Sequence, residues 1–540
     1  GKLDRASLPK PDREARLNDN VYIAPVTELE KKISAIWSTV LGVDSVGLQD
    51  NFFDLGGNSL LVTQLAARVR REFKINVSMH VFFQNPVLSS LSKNLEATLD
   101  SHLIQKELPS INIQQKSKYI PLSFSQQRLW FLDQILPVKT AYNISIGWEI
   151  EGGLNINALK YALDSILVRH DILRANMKEV DGDLAQIVND ANGFVLEQFD
   201  FVHLSEKQKQ TVVNAHINEE ASTVFHLENG PLFRGRLIKL NATKHILLLS
   251  VHHIVSDGWS TVVLEKELNY FYNSYLGNRP TSLPNLPIQY TDFAIWQHDL
   301  INKDHSVQQL AYWKAKLENC PDVLSLPTDR TRPRTATYKG GLYSCALSSD
   351  LVAAVSRVSK ENNATLFMTL LSVFYTLLYR YSGQEDIVIG SPIANRRYIE
   401  IENLIGFFAN TLALRIRGSL DERFIDLLAQ VKTMALEAYE HQDVPFEQLV
   451  DHLQITRDLS RNPVFQVMFA FQKLEDNAIK LQDLTVKHLE LNYQVSKFDL
   501  TLWVQEGYEG ESGLRLGFEY ATDLFEASTI ERMAQHFERL

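Results

Sequence analysis

The apolar pattern of this 540-residue chain changes period near residue 100, and that change divides what the chain can fold into. Before it, apolar residues recur only at helical spacing. Thr27 followed by Glu30 predicts a capping box, in which each side chain satisfies the other's free backbone donor. Leu29, Ile33, Ile36, Trp37, Val40 and Leu41 then form one helical face. A second amphipathic helix follows Ser59, with Leu61, Leu65, Val69 and Phe73 inward. Asn85-Pro86 is expected to open another, since Asn caps well and proline suits a first turn; its stripe is Leu88, Leu91, Leu95 and Leu99. The pattern predicts a small all-α bundle over residues 22–100, behind a polar stretch, 1–21, that carries Pro9 and Pro11 and reads as a linker.

Residues 101–118 lack periodicity and read as a second linker. After them strands and helices mix. WEIEG (148–152), PLFRGRLIKL (231–240) and HILLLSVHH (245–253) read as strands. Asn157 to Met177 reads as a helix with Leu159, Leu163, Ile166 and Leu167 on one face. The class expected for this part is α/β or α+β.

Composition narrows the function. A net charge of -11 argues against nucleic acid, which selects a basic face. Cys320 and Cys345 fit no zinc or redox spacing, so a reducing, cytoplasmic setting is expected. The N-terminal segment has no apolar core and is not a signal peptide. Leu366–Leu378 is strongly apolar but short, and Thr369, Ser372 and Thr376 interrupt it. It is expected to be a buried core helix, and no membrane association is expected.

Two local patterns carry chemistry. Asp54–Leu60 (DLGGNSL) places Ser59 where a glycine turn meets a helix N-terminus, a position that favours a phosphate. Gly56 and Gly57 leave room for an approaching partner; the plain alternative makes Ser59 a helix cap. In HHIVSDG (252–258), an apolar strand ends in two histidines. Side chains alternate on a strand, so His252 and His253 should face opposite ways. One can then accept a proton from an attacking amine near neutral pH while the other packs. Gly258 keeps the space beside it open. Packing histidines and a metal fragment are the competing readings; against a metal, neighbouring strand residues diverge and no third ligand set is evident.

DNFFDLGGNSL (50–60) closely resembles the attachment site of peptidyl carrier proteins, or thiolation domains. That resemblance covers about residues 22–100 and implies a four-helix carrier bundle with 4′-phosphopantetheine on Ser59, whose thiol holds an aminoacyl or peptidyl thioester. Asn58 resembles carriers that serve condensation domains. HHIVSDGWS in turn resembles the active-site motif of the condensation domains of nonribosomal peptide synthetases. Further matching segments follow in order: SFSQQRLWFL (123–132), RHDILRANM (169–177), YTDFAIW (290–296), IGFFANTLALR (405–415), HQDVPFE (441–447) and RDLSRNPVF (457–465). Asp171 stands where Glu is usual and Val251 where Met is common.

The resemblance implies a multidomain chain: the carrier bundle, then an α/β condensation domain of two chloramphenicol-acetyltransferase-like lobes in a V, with 119–289 as N-lobe and 290–540 as C-lobe. It implies that His253 acts as base or positions the acceptor amine, beside His252. It also implies that Asp257 pairs with Arg169 or Arg174, and that Gly258 lines the path of the pantetheine arm. Trp130, Trp296 and Asn410 read as architectural. The implied partners are a phosphopantetheinyl transferase, an upstream adenylation domain and a downstream acceptor carrier, with Ser59 on the donor side and an L-configured donor. Gly1–Arg5 resembles the last motif of an adenylation domain, with Lys2 in its lysine position; the chain is expected to be a piece of a larger synthetase. An epimerisation domain shares HHxxxDG and this fold, but the carrier motif, SFSQQRLWFL and HQDVPFE favour condensation. A heterocyclisation domain would carry paired aspartates instead. A platform that only recruits partners is the non-enzyme alternative.

Overall fold

The computed structural model describes residues 22–75, 77–100, 110–115, 118–136, 138–277, 283–301, 304–419, 421–454, 458–473, 479–489, 491, 495–507 and 513–540. The expectations for Lys2 and for the 1–21 linker lie outside them. The chain forms two compact units, Gly1–Leu108 and Pro109–Leu540.

The first unit is helical. The capping box forms: Thr27 Oγ1 accepts from the Glu30 N–H at 3.1 Å, and the Glu30 carboxylate accepts from the Thr27 N–H at 2.9 Å. It starts α1 (Glu28–Leu41), which buries Ile33, Trp37 and Val40. Helix α2 (Ser59–Phe73) buries Val62, Leu65 and Val69, and α4 (Leu88–Asp100) buries Leu88, Leu91 and Leu95. Asn85 does not open α4. Its backbone and side-chain N–H groups both donate to the Val81 carbonyl at 2.9 Å, closing the short α3 (Met79–Gln84). Pro86 stays outside α4, and its carbonyl accepts from the Phe52 N–H at 2.8 Å.

The second unit is built on three sheets. The smallest joins β1 (Ile120–Pro121), β3 (Ala175–Val180) and β4 (Asp183–Val188) in the order β1-β4-β3. A five-stranded sheet combines β2 (Asn143–Gly152), β5 (Leu196–Asp200), β6 (Phe233–Lys239), β7 (Lys244–His252) and β12 (Leu484–His488), ordered β12-β2-β7-β6-β5. The six-stranded sheet contains β8 (Gly340–Leu347), β9 (Asp386–Ile393), β10 (Asn410–Arg417), β11 (Val467–Lys473), β13 (Leu500–Glu506) and β14 (Leu514–Ala521), ordered β10-β9-β11-β13-β14-β8. Edge strand β12 comes from the stretch expected to be C-lobe, yet it pairs with β2 in register Val486↔Ile150. The 119–289 segment therefore does not complete its own sheet.

Strand β7 reads as a continuous apolar run because it is central and covered on both faces. Leu247, Leu249 and Val251 join the main core, while Ile246 and Leu248 join a second cluster with Val213. Helix α5 spans Phe124–Ile135, and α7 (Glu206–Ser222) packs against β7 and β2. Helix α6 (Ile156–Arg169) packs against α8 (Gly258–Leu276). It ends at Arg169, short of the expected Met177, and Ala175–Met177 already belongs to β3. Ile111, expected in a linker, is buried in the main core. Leu366–Ser382 is a buried helix, as its all-round apolar pattern predicts. No helix among the described residues is long and apolar enough to cross a membrane.

Candidate functional site

In the first unit, Ser59 is the first residue of α2. The cap is not Ser59 but Asn58, whose Oδ1 accepts from the Leu61 N–H at 3.0 Å. The preceding turn is tightly wound. Gly56 has φ +94°, and the Gly57 N–H returns to the Phe52 carbonyl at 2.9 Å. A Cβ on Gly57 would stand 2.2 Å from the Phe52 ring. Gly57 therefore serves internal packing, where the sequence suggested room for an incoming partner. The turn delivers Ser59 to the positive end of a 15-residue helix, a setting that suits a phosphodiester.

In the second unit, β7 ends where His252 pairs with Asn143 and its N–H donates to the Leu232 carbonyl at 3.0 Å. A 3₁₀ turn, His253–Val255, begins at once. The two histidines part because of this turn as much as by strand alternation. His252 is buried, and its Nδ1 accepts from the Ile254 N–H at 3.1 Å, so it serves as the turn's own cap. His253 is half-buried, with its N–H on the Tyr142 carbonyl at 2.8 Å and its ring edge-on to Phe407 at 4.8 Å. Burial holds the His253 imidazole well below the usual histidine range; Lys497 acts in the same direction and Asp257 opposes. It is neutral at pH 7, the form a general base requires. Gln126, from α5, donates to the Ile254 carbonyl at 3.1 Å and fixes the turn from a third side.

Asp257 caps α8 and is fully engaged. Its Oδ1 accepts from the Ser260 N–H at 2.8 Å, the Ser260 hydroxyl at 2.7 Å and Arg396 Nη2 at 3.1 Å. Its Oδ2 accepts from the N–H groups of Phe408 at 3.0 Å and Ala409 at 3.2 Å. Arg396 in turn donates to the carbonyls of Ile401 and Leu404, both at 2.6 Å. The partner of Asp257 is thus Arg396, and the expected pairing with Arg169 or Arg174 does not form. Arg169 binds Glu267 at 2.7 Å, which lies ten residues, about 15 Å, further along α8. Arg174 binds Asp171 at 2.6 Å and the Leu167 carbonyl at 3.0 Å. The RHDILR segment clamps α6 to α8 instead: His170 holds Glu267 at 2.9 Å and accepts from the Ile405 N–H at 3.2 Å. Nothing local in the sequence marks Arg396, 139 residues from Asp257; the one available signal was that a buried carboxylate needs a cation.

Gly258 is exposed, and a Cβ there would meet no atom within 4 Å. The space beside the histidine turn is open, as expected. Asn410 is architectural: it donates to the carbonyls of Gln442 and Val444 and accepts from the Phe446 N–H. Trp296 is buried against Tyr398, and Trp130 packs on the main core. A groove of 660 Å³ lined by Tyr161, Asp164, Val168 and Phe271 opens elsewhere, on the α6–α8 pair, and includes neither His253 nor Gly258.

A buried histidine turn at the end of a central strand in one unit, and a serine at a helix start in the other, define a class. The chain belongs to the condensation domain family, whose profile matches residues 116–540, and a phosphopantetheine attachment site domain matches residues 31–95. It is a carrier–condensation pair of the nonribosomal peptide synthetase kind. Over its whole length it is 41% identical to one of the polypeptides of linear gramicidin synthase from Brevibacillus parabrevis and 37% identical to bacitracin synthase 3 of Bacillus licheniformis. It spans only 7% and 8% of those proteins. Among solved structures, the X-domain from teicoplanin biosynthesis matches with TM-score 0.73 and 25% identity, over 80% of this chain and 97% of that one. The four-domain nonribosomal peptide synthetase holo-AB3403 shares the fold at TM-score 0.70 and 23% identity, over 81% of this chain and 33% of that one.

Proposed function

We propose that Ser59 carries the phosphopantetheine arm and that His253 serves peptide-bond formation between the acyl group held there and the amine of an aminoacyl group on a downstream carrier. A phosphopantetheinyl transferase would install the arm and an upstream adenylation domain would supply the acyl group. The arm supplies a thioester, an already activated acyl donor. What the chain contributes is placement and proton handling. Tethering both reactants raises their effective concentration, which in well-oriented reactions removes about 7–11 kcal/mol of barrier. His253 takes the proton released as the carbon–nitrogen bond forms and returns it to sulfur as the carbon–sulfur bond breaks. A base of this kind typically contributes about 10²–10⁴-fold.

One observation carries this reading: a neutral, half-buried imidazole stands on a turn whose His253 backbone N–H is held by the Tyr142 carbonyl, next to the open space at Gly258. Asp257, with five donors on its two oxygens, supports the loop.

Intact-protein mass spectrometry tests it. The chain is pantetheinylated, loaded on Ser59, and mixed with a separate carrier bearing an amino acid. Donor mass should move to the acceptor in the wild type and in neither Ser59→Ala nor His253→Ala. One of the matched structures is an X-domain in complex with OxyB, so recruitment is the competing role for this fold. Normal loading with no transfer to any acceptor would favour it. Exchange of the donor α-proton without an acceptor would point to an epimerase.

A further inference from the structure

Lys497 lies in the stretch that leaves the five-stranded sheet after β12 and enters the six-stranded sheet at β13. Its backbone is pinned on both sides. The Ser496 N–H donates to the Tyr338 carbonyl at 3.0 Å, the Asn462 amide donates to the Lys497 carbonyl at 2.6 Å, and the Asp499 N–H donates to the Gln466 carbonyl at 2.9 Å. The side chain reaches back toward the histidine turn, and its ammonium stands 4.6 Å from the Tyr142 ring centroid. Tyr142 is also the residue whose carbonyl anchors the His253 N–H, and its ring meets the imidazole edge-on at 6.4 Å.

This cation is unusual in its company. Among the described residues no ion pair is formed by its ammonium; Glu519 attracts it, and burial pulls it down to about 8. A cation–π contact with one ring is a weak return for burying an ammonium. The charged groups around His253 are few. Asp257 is committed to Arg396, His252 is neutral, Phe407 presents an apolar ring, and Arg128 is paired with Glu447 at 3.2 Å. Among the described residues, Lys497 is the remaining positive charge that bears on the imidazole.

We propose that Lys497 is a positioning residue for the condensation reaction, its ammonium held over Tyr142 so that His253 and the incoming α-amine both stay in their free-base forms. A nearby like charge disfavours protonation of either group. An α-ammonium has no lone pair to attack a thioester, and an imidazolium cannot take its proton. One cation thus biases both partners of the proton transfer toward reactivity. The idea rests on the condensation reading, but its first readout does not require turnover.

In the full chain, the imidazole of His253 is followed by NMR with labelled histidine, using His253→Gln for assignment. In Lys497→Met and Lys497→Gln the His253 titration should move up by roughly one pH unit, while Lys497→Arg should match the wild type. An unmoved titration in whichever neutral variant keeps the native near-ultraviolet circular dichroism overturns the proposal, whether or not the chain transfers acyl groups. The second readout is the pH profile of kcat with the carrier-bound acceptor saturating. The acid limb should shift up by the same amount in the neutral variants, and their rates should converge with the wild type at pH values above that limb. A uniform loss at every pH, with no shift of the limb, would mark a merely structural lysine and would also overturn it.

Discussion

Asp257 has no capacity left for chemistry. Removing its carboxylate would leave Arg396, itself buried, without a counter-charge. Asp257→Ala should lower unfolding stability by about 3–5 kcal/mol in urea titrations, and Arg396→Leu by a similar amount, with activity lost alongside. Gly258→Ala should behave in the opposite way. A methyl group there clashes with nothing and favours the helix it begins, so the melting temperature should hold or rise while acyl transfer falls. His252 supplies a pH test. Burial holds it down to about 3, against an ordinary value near 6.5, so the unfolded chain binds a proton that the fold refuses. Its contribution is complete above pH 6.5 and is lost as pH falls toward the folded value. His252→Asn should flatten that acid slope by up to about 1.4 kcal/mol per pH unit, measured as unfolding free energy against pH. At this scale the sequence was legible where a motif is local. Ser59 and His253 stand inside short patterns whose physics is contiguous, whereas the Asp257–Arg396 pair closes across 139 residues and left no trace in either segment.

At the scale of elements, the carrier's glycine turn is a packing joint. Phe52 lies against Gly57, and the same ring meets Trp37 edge-on at 5.1 Å, so the turn that presents Ser59 is tied to the core of α1. Gly57→Ala should cost about 1–3 kcal/mol of carrier stability and slow pantetheinylation of Ser59, read as the rate of mass gain. Helix starts were visible in the sequence where side chains cap their own backbone, as Thr27 with Glu30 does. Helix ends were less so. The stripe of α6 continues in sequence past Arg169, but His170 leaves it to hold Glu267 and the Ile405 N–H, and periodicity carries no record of those distant partners. Asn85 misled for the same reason: its capping chemistry is real but serves the helix behind it.

For the whole molecule, the two large sheets are not successive in the chain. Strand β12, near residue 486, completes the sheet whose other strands end at His252. A fragment covering residues 110–289 therefore lacks an edge strand and should fail to unfold cooperatively in circular dichroism melts. Supplying β12 on a separate peptide or restoring the full chain should recover the transition. A boundary placed at 289/290 is what a linear pattern suggests, because strand pairing at that separation has no local signature.

That returning strand also limits how such genes can recombine. A crossover anywhere between codons 290 and 483 would hand a chimera four strands of the histidine-bearing sheet from one parent and the fifth from the other. The hybrid inherits a seam beside β2, with Leu484 packed against Gly152, which has no space for a side chain, and Leu489 close against Gly147, where a side chain would fit only tightly. Parents that differ at those four positions would produce offspring whose defect appears far from the junction that caused it.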